Sequence, residues 1–584
     1  MVDRAENSNV QQLANRIFLF ACMVLFVCLI LEFGGSLKAM GWYWLRRGEV
    51  ICLGLIDLVL IIRLFYSRFT WRTIFPLTEV LVVTALFIWA LLFVIGMASV
   101  NEAMLFARKI FHAYLFLRVA AFFFSGFESG ISIGLRPARL MLYSFGGLIL
   151  VGTVLLSMPN VVRSDVKPWR FTEALLASTS AVCGTGISVR DIGSELTWRG
   201  QAALLALMQI GGLGLTTVVL FATYIRQRSL KMKQILALRE MMNLEMVGNL
   251  GGFLFFVLIS TAILELAGAG ILYWQGWRSD LPVYDRVWWC LFHSVSAFCN
   301  NGYSLSKDNM MSATHAPSVL LTLASVVVVG VIGFPVLYDL FRYCISKAAA
   351  LIGRGRREGV LRLSINTRIV LAATAVLLVG STLLFLLFEW SFAFENRSVG
   401  NAVVNAAFEA VSARTAGFNS VDTSTLQNST YLLLMLLMLI GTGPVSTGGG
   451  IKVTTLVVVC LAVRAYLSNR NSIEIGKRTL PASATVVSLS LLLVYALLVI
   501  VFSMLLMITQ SHLAFRDTLF EVISVMSSVG FSSGAVNQFS DLGVVLFCIA
   551  TLIGRLGPLT ILLVLADRGA GQRYKYPQEG ILIS

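Results

Sequence analysis

Apolar residues run in stretches of about 20 along the whole chain, and short polar segments between them carry most of the charge. At about 1.5 Å per helical residue, one such stretch crosses the ~30 Å hydrocarbon core of a bilayer. The pattern predicts an all-α polytopic membrane protein. Four apolar segments lie near residues 15–36, 49–66, 76–99 and 103–125. From about residue 138 the long helices come in pairs: 138–158 with 200–223, 249–274 with 317–341, 368–390 with 431–466, and 482–510 with 542–566. Each pair encloses a shorter segment too brief to span. The polar start, Met1 to Asn15, leads into an apolar run from Ile17 to Leu31 with no small-x-small cleavage site, so it is expected to persist as a first transmembrane helix.

The enclosed segments resemble one another. They read Ser180-Ala-Val-Cys-Gly-Thr-Gly-Ile187, Ala297-Phe-Cys-Asn-Asn-Gly-Tyr303, Ala413-Arg-Thr-Ala-Gly-Phe418 and Ser527-Ser-Val-Gly-Phe531. One glycine aligns in each, at Gly186, Gly302, Gly417 and Gly530, with separations of 116, 115 and 113 residues. A second set, Gly211, Gly330, Gly441 and Gly554, follows 24 to 28 residues later. Two anchors in register across four copies predict a four-fold internal repeat, with boundaries at 136–240, 241–362, 363–478 and 479–584 after an N-terminal extension over 1–135.

Composition and charge narrow the function. Apolar residues make up 57% and charged residues 13% of the chain, against roughly 25% charged in soluble domains, which argues against a soluble enzyme. The net charge of +15 could indicate nucleic acid, but the basic residues form no single patch. Instead Arg226, Arg228, Lys231, Lys233 and Arg239, then Arg342, Lys347, Arg354, Arg356, Arg357 and Arg362, then Arg464, Arg470, Lys477 and Arg478, and finally Arg568, Arg573 and Lys575 fall in the connectors between repeats and at the end. The positive-inside rule places these connectors, and both termini, in the cytoplasm. The repeats are then parallel, which disfavours an inverted-repeat carrier; Arg46 and Arg47 are the misfit. Nine cysteines without a Cys-x-x-Cys pair or a histidine cluster give no metal site and no disulfide framework. No Ser/His, paired-carboxylate or metal-ligand constellation appears, so a membrane enzyme is disfavoured and no cofactor on the chain is expected.

Four parallel units of helix, re-entrant segment and helix can surround one axis. Irregular backbone at membrane depth is tolerated where protein or a water-filled cavity satisfies it. A ring of backbone carbonyls can replace the hydration shell of a monovalent cation, and glycine permits the required dihedrals. The competing reading is four glycine-rich packing turns, since glycine is common in membrane helices; four in register favour the pore.

At these residues the chain resembles the Trk/Ktr/HKT superfamily of potassium transporters, over about residues 138–566. Phe292 to Tyr303, Ser412 to Asn419 and Ile553-Gly-Arg-Leu-Gly-Pro558 look like the second filter, third filter and end motif of that family. The stretch Leu135 to Pro159 looks more Ktr-like than Trk-like. The resemblance implies potassium uptake across the plasma membrane, driven by membrane potential or coupled to sodium, with potassium as substrate. It implies a selectivity filter made of Cys183, Gly184, Thr185 and Gly186; Cys299, Asn300, Asn301 and Gly302; Thr415, Ala416 and Gly417; and Ser528, Val529 and Gly530. It implies an intramembrane gating loop at Gly443, Ser446, Thr447, Gly448, Gly449, Gly450 and Lys452, with Arg555 facing it. Arg555, inside an apolar helix, is a functional candidate in its own right; the alternative is a buried ion pair. The resemblance further implies a homodimer and a cytoplasmic ring of nucleotide-binding regulatory subunits docking on the basic connectors.

Departures accompany the match. Gly184 stands where a bulkier residue is usual and Asn301 where a small one is commoner, so a sodium-favouring or poorly selective cation transporter is the second reading. All four filter glycines are present, whereas serine at the first marks the sodium-favouring relatives, and this favours potassium. Arg414 is expected to pair with Glu409 or Glu521 behind the filter. In the N-terminal extension, Asp57, Arg63, Glu79, Arg108, Lys109, His112 and Arg118 suggest a bundle with internal charge pairs. Its basic residues lack the every-third spacing of a voltage-sensor stripe.

Overall fold

A computed structural model describes residues 137–214, 250–351, 362–395, 397–470, 472–475 and 478–557. The four N-terminal segments lie outside these residues. So do Arg46, Arg47, the connector from Arg226 to Arg239, Arg354 to Arg357, Lys477 and the basic C-terminus.

The described chain is helical, with one small antiparallel hairpin, Glu474–Ile475 against Arg478–Thr479, that the apolar pattern did not predict. Its helices fall into four triads. The first holds α1 (Pro137–Leu156), α2 (Phe171–Cys183) and α3 (Trp198–Leu213); the second holds α4 (Leu250–Trp274), α5 (Val283–Phe298) and α6 (Pro317–Ile332), which α7 (Phe334–Leu351) follows. The third holds α8 (Ile365–Glu389), α9 (Val399–Thr415) and α10 (Asn428–Leu439), with α11 (Val453–Leu467) beyond a break; the fourth holds α12 (Ala482–Thr509), α13 (Phe515–Met526) and α14 (Asp541–Leu556). Among the described residues, α4, α8 and α12 are long and apolar enough to cross a bilayer alone. Their outward faces leave Leu266, Val376, Leu387, Leu493 and Ile508 exposed, as a lipid-facing helix requires.

Within each triad the first helix packs on the short second one (α1 on α2, α4 on α5, α8 on α9, α12 on α13). Between triads, α3 packs on α5, α6 on α9, α10 on α13 and α14 on α2, so the contacts run from first to second to third to fourth and back to the first. The second set of glycines explains three of these approaches. A Cβ on Gly211, Gly330 or Gly554 would collide with the carbonyl oxygen of Val182, Phe298 or Met526 respectively, at the end of a short helix. Gly441 instead lies against the Gly449 carbonyl.

The stretch 317–341, expected as one helix, is broken. The chain bends by 99° between α6 and the segment after Gly333. Gly333 has φ of 94°, and a Cβ there would lie 2.5 Å from the Pro444 carbonyl oxygen. Phe334 N donates to Val445 O at 3.1 Å and Gly443 N donates to Val331 O at 3.0 Å. The helix breaks because a loop from the third triad takes over its hydrogen bonds, a tertiary cause that no local pattern reveals.

Candidate functional site

The four short helices end at the glycine segments, each pointing its negative dipole end inward. Gly186, Gly302, Gly417 and Gly530 all adopt the left-handed region, with φ of 79°, 78°, 71° and 95°. A Cβ on Gly186 would strike Asn301 O; on Gly302, Ala416 O; on Gly417, Val529 O; and on Gly530, Thr185 O. Each segment therefore abuts the carbonyl of the next, and the series closes on itself. The glycines do more than bend the chain; any side chain would wedge two neighbours apart.

Hydrogen bonds from the short helices, not anticipated from the sequence, fix these segments. Ser180, Ser296, Ser412 and Ser524 occupy matching places in the short helices. Ser296 Oγ donates to Tyr303 O at 2.8 Å and Ser412 Oγ to Phe418 O at 2.6 Å. Ser180 Oγ accepts from Ile187 N at 2.6 Å and Ser524 Oγ from Gly530 N at 3.1 Å. The aligned Ser-Ala and Ser-Val pairs were a visible signal. The residues after the glycines, Ile187, Tyr303, Phe418 and Phe531, are all buried as anchors.

One turn earlier, His293, Glu409 and Glu521 hold the segments that leave the ring. Glu409 Oε1 accepts from Ser420 N, Ser420 Oγ and Val421 N, and Glu521 Oε1 accepts from Ser532 Oγ, Ser533 N and Ser533 Oγ. His293 Nε2 lies 3.0 Å from Ser304 Oγ. The first repeat has Ala177 here, and the Tyr303 hydroxyl fills the gap, lying 3.0 Å from the carbonyls of both Ala177 and Ile187. Tyr303→Phe is expected to cost about 1 kcal/mol of stability, read as a lower midpoint in thermal unfolding followed by tryptophan fluorescence.

Arg414 does not pair as expected. Neutral donors take one oxygen of each carboxylate, Oε1, and Arg414 reaches neither carboxylate; its Nη2 instead donates to Gly441 O at 3.0 Å. The third segment is one residue shorter between its serine and its glycine than the other three. Helix α9 accordingly runs through Thr415, whereas Gly184, Asn300 and Ser528 at the matching place are left-handed, with φ of 71°, 51° and 54°. Asn301 has a structural use: its Nδ2 donates to Ala181 O at 2.7 Å, tying the second segment to the first short helix. Cys183 and Cys299 end or follow the short helices and are buried.

Between α10 and α11 the chain leaves helical form from Ile440 to Lys452. A parallel bridge of Ile440 with Ile451 pinches its base. The loop lies against three of the four residues that stand two before a ring glycine, Asn300, Thr415 and Ser528. Thr447 Oγ1 accepts from Asn300 Nδ2 and lies 3.1 Å from Phe298 O. A Cβ on Gly448 would lie 2.8 Å from Thr415 Cγ2, and one on Gly449 would lie 2.6 Å from Ser528 Oγ. Arg555 completes the set: a Cβ on Gly184 would lie 3.4 Å from its Nη1, which also donates to Thr447 O, while its Nη2 donates to Gly211 O at 2.8 Å. Lys452 Nζ donates to Thr442 Oγ1 at 3.0 Å and to Gly448 O at 2.9 Å. Ser446 Oγ donates to Gly443 O at 2.7 Å. Every predicted gate residue belongs to this loop or touches it. No carboxylate pairs with Arg555 among the described residues, and its hydrogen bonds go to two carbonyls.

Side-chain oxygens at the ring are left without partners. Thr185 Oγ1, Asn300 Oδ1, Asn301 Oδ1, Thr415 Oγ1 and Ser528 Oγ are buried and accept or donate no hydrogen bond. No group of three or more His, Cys, Asp or Glu residues suited to a metal ion occurs among the described residues.

Known proteins resemble this chain. The chain is 34% identical over 446 residues to the Ktr system potassium uptake protein B of Vibrio alginolyticus, covering 76% of this chain and 94% of that protein. It is 29% identical over 461 residues to the potassium/sodium uptake protein NtpJ of Enterococcus hirae, covering 77% of this chain and 97% of that protein. The crystal structure of the potassium transporter TrkH from Vibrio parahaemolyticus superposes with a TM-score of 0.58 at 18% identity, covering 89% of this chain and 98% of that one, and shares the fold. The TrkH family profile, described as cation transport protein, matches residues 148–570. A four-part helical ring closed by left-handed glycines, matched over most of its length by that profile, makes this chain a membrane transporter of the TrkH cation transport family.

Proposed function

We propose that the chain carries potassium ions into the cell through the glycine ring, in channel-like fashion, with the loop Gly443–Lys452 and Arg555 as the gate. The observation that carries this reading is the closed succession of Gly186, Gly302, Gly417 and Gly530, each against the next segment's carbonyl. Dehydrating a monovalent cation requires oxygens supplied from all sides at once, and such a ring supplies them. The unpartnered oxygens of Asn300, Thr415 and Ser528 beneath it support the same reading, because a buried polar atom without a partner is costly unless something visits it. The loop stands directly under these residues, and Arg555 adds a positive charge that opposes cation passage.

No chemical step on the chain is needed. A potential of 100 mV supplies about 2.3 kcal/mol per charge moved inward. The proposal extends to a plasma-membrane protein with cytoplasmic termini, working as a homodimer with a cytoplasmic nucleotide-binding regulatory ring on its basic connectors. A sodium-favouring or poorly selective transporter is the second reading, favoured by Gly184 and by the name of the Enterococcus relative.

Uptake of rubidium-86 into proteoliposomes holding the full chain tests both. Excess potassium is expected to abolish uptake while sodium at the same concentration leaves it intact. Equal competition supports the second reading, and no uptake with the regulatory ring present overturns the proposal.

A further inference from the structure

Three residues before each ring glycine stand Cys183, Cys299, Arg414 and Ser527, all buried. In two of the four repeats, a polar side chain from the long outer helix reaches in to this position. Tyr495 of α12, 2% exposed, forms a hydrogen bond of 2.7 Å between its hydroxyl and Ser527 Oγ. Glu265 of α4, 6% exposed, acts in company with Gln209 of α3. Gln209 Nε2 donates to Glu265 Oε2 at 3.1 Å, and Cys299 Sγ donates to Gln209 Oε1 at 3.5 Å and lies 3.9 Å from Glu265 Oε1.

The backbone is built to bring these groups together. Ser294 Oγ donates to the Glu265 carbonyl at 2.6 Å, joining α4 to α5. Gly212 lets α3 approach Cys299, whose Sγ would lie 2.8 Å from a Cβ there. A carboxyl group or phenol buried inside a lipid-facing helix is expensive and is retained for something it touches. Here each touches the residue that leads into a glycine segment. Arg414 fills the same role in the third repeat from its own side, through Gly441 O.

The order of contacts around the ring makes the second and fourth segments opposite one another. Glu265 and Tyr495 thus brace the ring from two opposed sides. Two monovalent cations that differ by a few tenths of an ångström in radius are told apart only if the ring keeps its width; an unbraced segment would follow the smaller ion inward. We infer that Glu265 and Tyr495 are positioning residues that hold opposite sides of the ring at fixed width and so set discrimination between potassium and sodium. The inference rests on the ring being the ion path.

Competition of sodium and potassium against rubidium-86 uptake, measured on the full chain in proteoliposomes, tests it. Tyr495→Phe and Ser527→Ala remove one hydrogen bond from its two ends, and Glu265→Leu removes the acceptor while keeping an apolar side chain. In all three the preference for potassium over sodium is expected to fall about three- to tenfold, the range one buried hydrogen bond spans, with uptake itself retained. Glu265→Gln keeps an oxygen acceptor toward Gln209 and stays close to wild type. Wild-type preference in monodisperse Tyr495→Phe and Ser527→Ala protein overturns the inference and leaves the proposed function standing; those two variants decide the matter even where Glu265→Leu fails to fold. A wild type that takes up rubidium without distinguishing the two ions overturns the inference together with the potassium reading.

Discussion

Gly417→Ser protein is expected to take up rubidium-86 at background rates while still eluting as monodisperse, folded protein. Two physical effects act together. Gly417 sits at φ of 71°, where a side chain costs about 1–2 kcal/mol. Its Cβ would also fall on the Val529 carbonyl oxygen, so the third and fourth segments must separate. The collision is at the ring and not in the apolar core around Phe408 and Phe418, so the fold survives while the oxygens lose their common centre. Loss of one coordinated position raises the barrier by several kcal/mol, and each 1.4 kcal/mol is about tenfold in rate. Uptake at the wild-type rate with unchanged ion preference would sink the ring as ion path.

The opposite effect is expected at Arg555. Arg555→Met keeps the length and apolar stem of the side chain but removes both the positive charge and the hydrogen bonds to Thr447 O and Gly211 O. A unit charge within several ångströms of a passing cation, at an effective dielectric constant of about 20, contributes about 2–4 kcal/mol to the barrier. Freed of that charge and of its hold on Thr447, the loop Gly443–Lys452 is expected to obstruct less. Rubidium uptake should rise more than about tenfold and become less dependent on the proposed regulatory ring. A slower variant would mean that Arg555 supports the path instead of obstructing it. Lys452, which donates to Thr442 Oγ1 and Gly448 O within the same loop, still ties the loop together, so the increase stops short of a fully open pore.

These two residues also differ in how they could be read. Gly417 was legible because its neighbours repeat, and repetition is a property of sequence. Arg555 was legible because a charge inside an apolar helix contradicts its surroundings. Arg414 contradicts its surroundings equally, yet its expected carboxylate partner was wrong. Glu409 and Glu521 satisfy backbone amides and hydroxyls of the segments that follow them, at 2.6–3.1 Å. Charge alone suggested an ion pair, but the geometry of the returning chain offered those carboxylates several donors each.

The helical membrane class, the long apolar helices near 249–274, 368–390 and 482–510, and the register of four repeated glycine segments are legible in the amino-acid order alone. Those follow from local rules: an apolar stretch long enough for the bilayer, and a glycine wherever backbone must turn left-handed or come close. Tertiary structure decided the rest. The break at Gly333 exists because Val445 and Gly443 take its helix's hydrogen bonds. The link from Thr447 to Asn300 spans 147 residues of chain, and the brace from Tyr495 to Ser527 joins a lipid-facing helix to the ring. Each is a pairing of one polar group with another across the fold, and a hydrogen bond leaves no periodicity along the chain from which its partner could be read.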